Sequence, residues 1–327
     1  MTNENSRKIK LLKLWELLKS ETDEKNPMDT KTIIKRLGDQ GIQVDRKILY
    51  ADIDLLNKYG FEVLKDRSRS NKYYVVERSF DPHEVRILMD AVQSAGFITE
   101  KKTDELLTKV SALAGSNMGE LLKSNITKYS AVKSTNEMIY YSVDTIVRAR
   151  QENKKIGFFY FDYNENRERV YRKDKKWYVV NPVATFIDDN QYYLVCYDDK
   201  HKTLTQYRVD RMESVSMLEE EITPNEKAEK ASLAEHKRQL FSMFGGKVER
   251  VTFEISKNLI DMVLDRFGER VKISGRDDHA LCVVEVQVSP MFIAWCCSYG
   301  AQLKVTQPKN VVAQIKDHIE LMKELYK

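Results

Sequence analysis

Residues 45–76 decide the fold of the N-terminal region, and they read DRKILYADIDLLNKYGFEVLKDRSRSNKYYVV. Asp45 is of a residue type that commonly caps a helix. The apolar residues after it recur at the spacing of one helix face: Leu49, Ile53 and Leu56. Apolar, β-prone segments at residues 61–64 and 73–76 flank residues 65–72, which carry four cations among small polar side chains. The stretch therefore predicts a helix followed by a hairpin with a basic tip.

Two more helical patterns precede this stretch. Residues 6–20 repeat apolar side chains at helical spacing, and a second helix is expected from Asp29 or Thr30 to Gly38. Three helices followed by a basic hairpin is the order of a winged helix-turn-helix, whose third helix lies in the major groove of DNA. We predict this domain at residues 1–78. The alternative is a small α/β unit whose charged loop is merely solvated.

The predicted domain offers two sets of contacts to double-stranded DNA. Solvent-facing residues near the start of the third helix are expected at base edges: Arg46, Lys47 and Tyr50. Cations of the hairpin are expected at phosphates: Lys65, Arg67, Arg69 and Lys72. Residues 1–76 hold 16 Lys and Arg against 12 Asp and Glu, while the whole chain holds 54 against 50, so this region contains the entire positive excess. Because the third helix itself is charge-balanced, one copy would bind weakly, and we expect a homodimer.

Composition excludes several other classes of protein. No apolar run approaches the length of a membrane span, and the lysines before residue 20 do not fit a secretion signal. The four cysteines show neither metal-ligand spacing nor the framework of a disulfide scaffold. We therefore expect a cytoplasmic protein without membrane contact. The adjacent Cys296 and Cys297 are either a buried pair on a helix or a redox sensor.

The pattern changes twice after the predicted DNA-binding domain. Residues 79–135 read as helices, the first of them opened by Asp81 and Pro82, and we predict a helical linker there. Residues 143–152 form one more amphipathic helix, and five or six short β segments follow within residues 156–209. So many short strands in so few residues predict a small, strongly bent β-barrel.

The last part of the chain has a different order of elements. Between residues 248 and 306 the pattern runs strand, helix, strand, strand, helix, strand, with Gly268 and Gly300 ending the two helices. This is the order of a ferredoxin-like, split β-α-β domain. A further helix is expected at residues 308–326.

Several motifs of the chain resemble those of WYL-domain transcriptional regulators. In the predicted barrel they are Asn181-Pro182, Tyr192-Tyr193-Leu194-Val195 and Tyr207-Arg208-Val209-Asp210-Arg211-Met212. These resemble the Trp-Tyr-Leu strand and the later Phe-Arg-x-x-Arg strand of the WYL domain, with Tyr192 where Trp is usual. The predicted third helix, at residues 46–56, is similar to the third helix of the winged helix in these regulators.

The resemblance implies an α+β multidomain chain and a function. Its parts would be a winged helix-turn-helix at residues 1–78, a helical linker at 79–135, a small Sm/SH3-like β-barrel (the WYL domain) at 136–222, and a ferredoxin-like extension of the WCX type at 235–327. The implied function is that of a DNA-binding transcriptional regulator. Its WYL domain would sense an anionic effector, either single-stranded nucleic acid or a nucleotide.

The expected effector site consists of Tyr193, Arg208 and Arg211. A guanidinium pair can hold a phosphate bidentately, and an aromatic ring can stack on a base. The alternative is that one arginine pairs with Asp210 or a neighbouring carboxylate and ties the barrel together. Tyr192 and Tyr193 alternate along one strand, so one is expected in the core and the other at the pocket, and the sequence leaves open which.

No catalytic pattern occurs in the chain. Residues 244–247 lack the spacing of a phosphate-binding loop, and the five histidines show no zinc-binding pattern and no nucleophile motif near them. We therefore expect no enzyme activity, no metal and no cofactor. A second functional hypothesis is a nucleic-acid-binding accessory protein that uses the WYL and C-terminal domains for partner contacts.

Overall fold

The computed structural model describes most of the chain. The described residues are 3–66, 71–126, 133–200, 202–224, 246–268, 271–275 and 278–327. Two compact units, Met1–Glu137 and Met138–Lys327, divide the chain. Both units combine helices with antiparallel sheets, which confirms the predicted α+β class. Among the described helices, none is long and apolar enough to cross a membrane.

The first unit begins with three helices and a small sheet. Helices α1, α2 and α3 span Asn3–Glu21, Thr30–Asp39 and Arg46–Lys58, and strands β1, β2 and β3 span Met28–Asp29, Leu64–Asp66 and Lys72–Tyr74. The strands pair antiparallel in the order β1-β3-β2. Neither the short strand β1 nor the start of β2 at Leu64, three residues after the predicted start, was expected from the sequence. Pairing with β3 determines both, and the local pattern of residues does not show this pairing.

Local signals explain where α2 and α3 begin. The Asp29 carboxylate accepts a hydrogen bond of 2.9 Å from the Thr32 amide, and the Asp45 carboxylate accepts one of 2.8 Å from the Ile48 amide. These contacts satisfy amide groups that have no partner inside the helix. The apolar faces of the three helices pack with the hairpin in one buried core, which includes Tyr73.

Helices α4, α5 and α6 complete the first unit, at Pro82–Ser94, Glu100–Ser111 and Ser116–Ser124. The predicted start of α4 is present as a capping box, in which the Asp81 amide donates to the Glu84 carboxylate at 2.8 Å. A separate small core joins these helices around Val85, Met89 and Leu107. The helices therefore pack together and do not form an extended tether.

The second unit opens with helix α7, Met138–Gln151, which packs on a curved sheet. The strands are β4 Lys154–Tyr163, β5 Arg169–Tyr171, β6 Trp177–Asp188, β7 Gln191–Asp198, β8 Thr203–Arg208 and β9 Met212–Glu221. Their order is β5-β4-β6-β7-β8, and β9 returns to pair with β4. Phe158, Leu194 and Val209 lie in the core that this sheet encloses with α7.

Two segments that the sequence pattern separates belong to one strand. The short β segments predicted within residues 156–209 include two separate ones, at residues 176–181 and 183–187, but β6 continues through Pro182. Its pairing with β7 shifts register between Pro182 and Ala184. Proline has no amide proton to donate to a ladder, and a bulge at this point lets the strand continue.

The rest of the second unit has its own sheet. Strands β10 Lys247–Ser256, β11 Lys272–Gly275, β12 His279–Val288 and β13 Leu303–Gln307 lie in the antiparallel order β11-β12-β10-β13. Helix α8, Ile260–Phe267, follows β10; helix α9, Pro290–Ser298, follows β12; and α10 spans Lys309–Leu325. Phe253 and Phe292 are fully buried in the core of this part.

The two adjacent cysteines lie on α9. Cys296 is buried and Cys297 is half-buried. Burial raises the pKa of both thiols above the ordinary value. A raised pKa disfavours the thiolate, which is the reactive form. The environment therefore favours a packing role for this pair over a redox sensor.

Candidate nucleic-acid interface and effector site

Helix α3 presents its first turn to solvent. Arg46 and Lys47 follow the Asp45 cap directly, and both side chains are exposed. The opposite face of the helix is buried through Leu49 and Ile53. The packing of α3 therefore turns the two predicted base-contacting cations outward.

Tyr50 has a different position from these two cations. Its ring is half-buried and lies 6.4 Å from the ring of Tyr73 on β3, measured between centroids. The Asn71 side-chain amide donates to the Tyr50 hydroxyl at 3.3 Å, and this hydrogen bond lowers the pKa of the hydroxyl. Tyr50 thus joins α3 to the base of the hairpin.

The hairpin places its two described cations differently. Lys65 on β2 is exposed, whereas Lys72 on the central strand β3 is half-buried. Lys72 pairs in register with Asp66 on one side and with Asp29 on the other. The predicted contacts Arg67 and Arg69 lie outside the described residues.

An ion pair between α1 and α3 was not expected from the sequence. The Lys10 ammonium lies 2.6 Å from the Asp52 carboxylate, and both side chains are largely buried. Lys10 is one of several basic residues of the first helix. Its pairing with Asp52 gives it a structural role, because it compensates a carboxylate on the buried side of α3.

In the second unit, Arg208 is held by Asp210. The guanidinium donates from Nε and Nη2 to the two carboxylate oxygens at 3.0 and 2.8 Å. This fork raises the pKa of the Arg208 guanidinium above its ordinary value. In the structure Arg208 therefore pairs with Asp210, as in the alternative to an effector-binding role that the sequence left open.

Arg211 and Arg172 share a second carboxylate. Arg211 donates from Nη1 to Asp162 at 2.9 Å, and Arg172 donates from Nε and Nη2 to the same group at 2.5 and 3.1 Å. The hydrogen bond from Arg172 is the main cause of the lowered pKa of Asp162. Sequence reasoning missed Arg172 and Asp162 as members of this site.

Tyr193 lies beside Arg208. The two residues are paired in register on β7 and β8, and the Arg208 charge acts on the buried Tyr193 hydroxyl, whose pKa burial raises. The Tyr193 ring stacks on Phe186 with centroids 5.8 Å apart. Tyr192 is half-buried and packs against the barrel core, and Tyr193 is the more buried of the two residues.

Tyr160 joins the two ion-paired groups. Its hydroxyl accepts a hydrogen bond of 3.2 Å from the Arg208 amide, and the Arg172 guanidinium lies 5.0 Å from its ring centroid. The structure thus brings the predicted site residues Tyr193, Arg208 and Arg211 into one neighbourhood, with Arg172 added. The basic run at residues 167–176 was the available signal for Arg172.

Two domain families match the chain. The WYL domain matches residues 142–217, and the WCX domain matches residues 247–322. No curated protein matches the chain.

Two solved structures show a low similarity to the chain. Proteasome accessory factor B/C (PafBC) of Arthrobacter aurescens is 18% identical, and the match covers 95% of this chain and 46% of that chain with a TM-score of 0.29. A CRISPR Cas-related protein is 12% identical, with 99% and 81% covered and a TM-score of 0.40. The chain spans less than half the length of the PafBC chain. At these scores neither likeness carries an argument about this chain.

Proposed function

The chain is a WYL-domain protein that also carries a WCX domain, and on that premise we propose that it is a DNA-binding transcriptional regulator. The WYL domain would sense an anionic effector, either single-stranded nucleic acid or a nucleotide. The observation that carries the proposal is the exposed, cationic first turn of α3, a helix whose opposite face is buried in a core shared with α1, α2 and the hairpin. This arrangement suits a helix that enters a major groove.

The first unit supports a winged helix-turn-helix reading of residues 1–78. Helices α1 to α3 share one core with the hairpin, and the hairpin follows the third helix directly. Arg46 and Lys47 would read base edges. Tyr50 would lie beside them near the base edges, in contact with the hairpin through Asn71 and Tyr73. Lys65, Lys72, Arg67 and Arg69 would contact phosphates.

The remaining parts of the proposed division follow from the same elements. Residues 79–135 would be a helical linker and residues 136–222 the WYL barrel. Residues 235–327 would be a ferredoxin-like domain, which the strand order β11-β12-β10-β13 supports. The proposal further includes a homodimer that acts in the cytoplasm, without enzyme activity, metal or cofactor.

The effector part of the proposal rests on the barrel cluster. Arg208 is paired in register with Tyr193, whose ring stacks on Phe186, and Tyr160 contacts both Arg208 and Arg172. Guanidinium groups suit phosphates and aromatic rings suit bases, so the combination fits a nucleotide or a short nucleic acid.

An electrophoretic shift on the region upstream of the chain's own gene tests the DNA-binding part. The full chain should form a discrete complex with a symmetric footprint, and short single-stranded DNA should change its affinity. The Arg46→Ala, Lys47→Ala variant should lose discrimination between this duplex and a scrambled one, because a good base contact is worth about 1–3 kcal/mol.

Lys58→Ala is the matched control for this experiment. Lys58 is an exposed cation at the other end of the same helix, so its removal changes charge but not the first turn. If Lys58→Ala lost as much discrimination as the double variant, Arg46 and Lys47 would not be the residues that contact the bases. Binding to single strands without any duplex site would favour the accessory-protein function instead.

A further inference from the structure

A cluster of charged side chains surrounds Tyr160 in the barrel. The Arg172 guanidinium lies over the Tyr160 ring, and the Arg208 amide donates to the Tyr160 hydroxyl. Arg211 and Asp210 are also close enough for their charges to act on that hydroxyl. The groups therefore belong to one site and not to separate surface ion pairs.

We propose that Asp162 and Asp210 form a carboxylate latch, which holds Arg172, Arg208 and Arg211 until a polyphosphate effector replaces both carboxylates. This inference rests on the effector function proposed above and states how that site is regulated. Without the effector, the two carboxylates would occupy the hydrogen-bond donors of the arginines. Binding would replace these carboxylates with the phosphate groups of the effector.

The geometry of the latch matches that of a bound phosphate. Asp210 accepts from both Nε and Nη2 of Arg208, and Asp162 accepts from the same two nitrogens of Arg172. Guanidinium groups hold phosphate oxygens through the same fork of two parallel hydrogen bonds. A phosphate could therefore replace either carboxylate while the arginines keep their orientation.

The latch is accessible enough to open. The side chains of Arg208, Arg211 and Asp162 are 29%, 30% and 37% exposed, and Asp210 is the most enclosed member at 18%. Breaking a deeply buried ion pair is costly because it leaves an uncompensated charge, whereas a partly exposed pair is worth little and opens readily. Exposure at this level also lets a dissolved anion reach the guanidinium groups.

The charge count sets the class of effector. Three guanidinium groups face two carboxylates, so a ligand with a single phosphate can replace only one carboxylate. A ligand with two or more phosphates can replace both. We therefore expect an oligonucleotide or a nucleoside polyphosphate to bind, and inorganic phosphate to bind far more weakly.

Opening the latch would also change the contacts of one turn of the barrel. Asp210 and Arg211 belong to the single 3-10 turn Val209–Arg211 between β8 and β9, and Arg211 connects that turn to Asp162 on β4. When phosphate replaces the carboxylates, Asp210 loses its contact with Arg208, and Arg211 exchanges its contact with Asp162 for one with the ligand. This gives the effector a physical means of changing the barrel.

The test measures binding of a fluorescent short oligothymidylate to the full chain by anisotropy. Asp210→Asn keeps the shape of the side chain but removes its charge, so it should bind the probe on the order of fivefold more tightly, the factor expected from one partly exposed ion pair. Arg208→Ala should lose most binding. Pyrophosphate and a nucleoside triphosphate should compete with the probe, and inorganic phosphate should compete poorly.

Glu165→Gln is the matched control, because Glu165 is an exposed acid of the same barrel outside the cluster. Unchanged affinity of this variant would show that a general change of net charge is not the cause. If the parent binds and Asp210→Asn binds no more tightly than the parent, the latch is wrong but the effector site stands. If neither binds, both the latch and the effector function are wrong; binding by Asp210→Asn alone would support the latch.

Discussion

The Nη2 atom of Arg78 donates a hydrogen bond of 2.6 Å to the carbonyl oxygen of Thr22. The same atom donates to the Lys19 carbonyl oxygen at 3.1 Å, so Arg78 binds the end of α1. Burial lowers the pKa of the guanidinium, in keeping with its enclosed position. The same guanidinium group lies against Gly115, the residue that precedes α6. Arg78 therefore links the predicted DNA-binding domain to the helical linker.

The start of α6 strengthens this link. The Ser116 hydroxyl donates to the Ser20 carbonyl oxygen at 3.0 Å, and the Asn117 side-chain amide donates to the Glu21 carbonyl oxygen at 3.2 Å. These groups satisfy carbonyls at the C-terminal end of α1 that have no partner within the helix. The side chains of Ser116 and Asn117 therefore hold the start of α6 against the end of α1.

We expect Gly115→Ala to destabilise the first unit markedly. A Cβ at this position would lie 2.6 Å from Arg78 Nη2, and Gly115 has φ +84, which side chains rarely adopt. Gly41→Ala is the matched control, because Gly41 has φ +77 but nothing within 4 Å of its would-be Cβ. Gly41→Ala should cost about 1 kcal/mol for the backbone. Gly115 has ψ 165, in a region essentially restricted to glycine, so Gly115→Ala should cost about 1–3 kcal/mol for the backbone and about 1–3 kcal/mol more for the disturbed buried hydrogen bonds. Equal melting temperatures would contradict the role of the Arg78 contact.

The sequence was sufficient for elements with strong local signals. The caps at Asp45 and Asp81 and the apolar face of α3 were read correctly, because each depends on residues close in the chain. Strand β1 and the continuation of β6 through Pro182 were not predicted. Both depend on pairing with a strand elsewhere in the chain, and local periodicity does not record such pairing.

The candidate site shows the same limit. The sequence motif around Arg208 and Arg211 identified two guanidinium groups of the site. The structure adds a third, that of Arg172, which directly follows β5 and shares Asp162 with Arg211. The partners Asp162 and Asp210 differ in predictability. Asp210 is two residues from Arg208, and it was considered; Asp162 is forty-nine residues from Arg211, and no local pattern connects them.

Neutralising the hairpin should weaken binding to every duplex about equally. The Arg67→Ala, Arg69→Ala variant removes two expected phosphate contacts, so the slope of log affinity against log salt should fall by about 1 to 2. Titrations of one operator and one scrambled duplex at several salt concentrations would measure this slope. A variant that binds both duplexes like the parent at all salt concentrations would contradict the winged-helix assignment.

The chain should bind DNA as a two-fold dimer. A charge-balanced recognition helix and one hairpin offer limited affinity, and two half-sites about 34 Å apart would let both copies contribute. Light scattering of the free chain and of its complex with an operator duplex would give the number of copies. A single copy in both samples would contradict the dimer, whereas a dimer on DNA alone would indicate assembly on the operator.

Removing both guanidinium groups of the family motif should separate sensing from DNA binding. In the Arg208→Ala, Arg211→Ala variant, basal affinity for duplex DNA should be unchanged, because the predicted DNA contacts lie in the other compact unit. The response to short single-stranded DNA should be lost. The two ion pairs are partly exposed and therefore worth about 0–1 kcal/mol each, so the melting temperature should fall by only a few degrees. The opposite result, a large fall in melting temperature with no effect of single-stranded DNA on the parent, would show that these arginines only hold the barrel together.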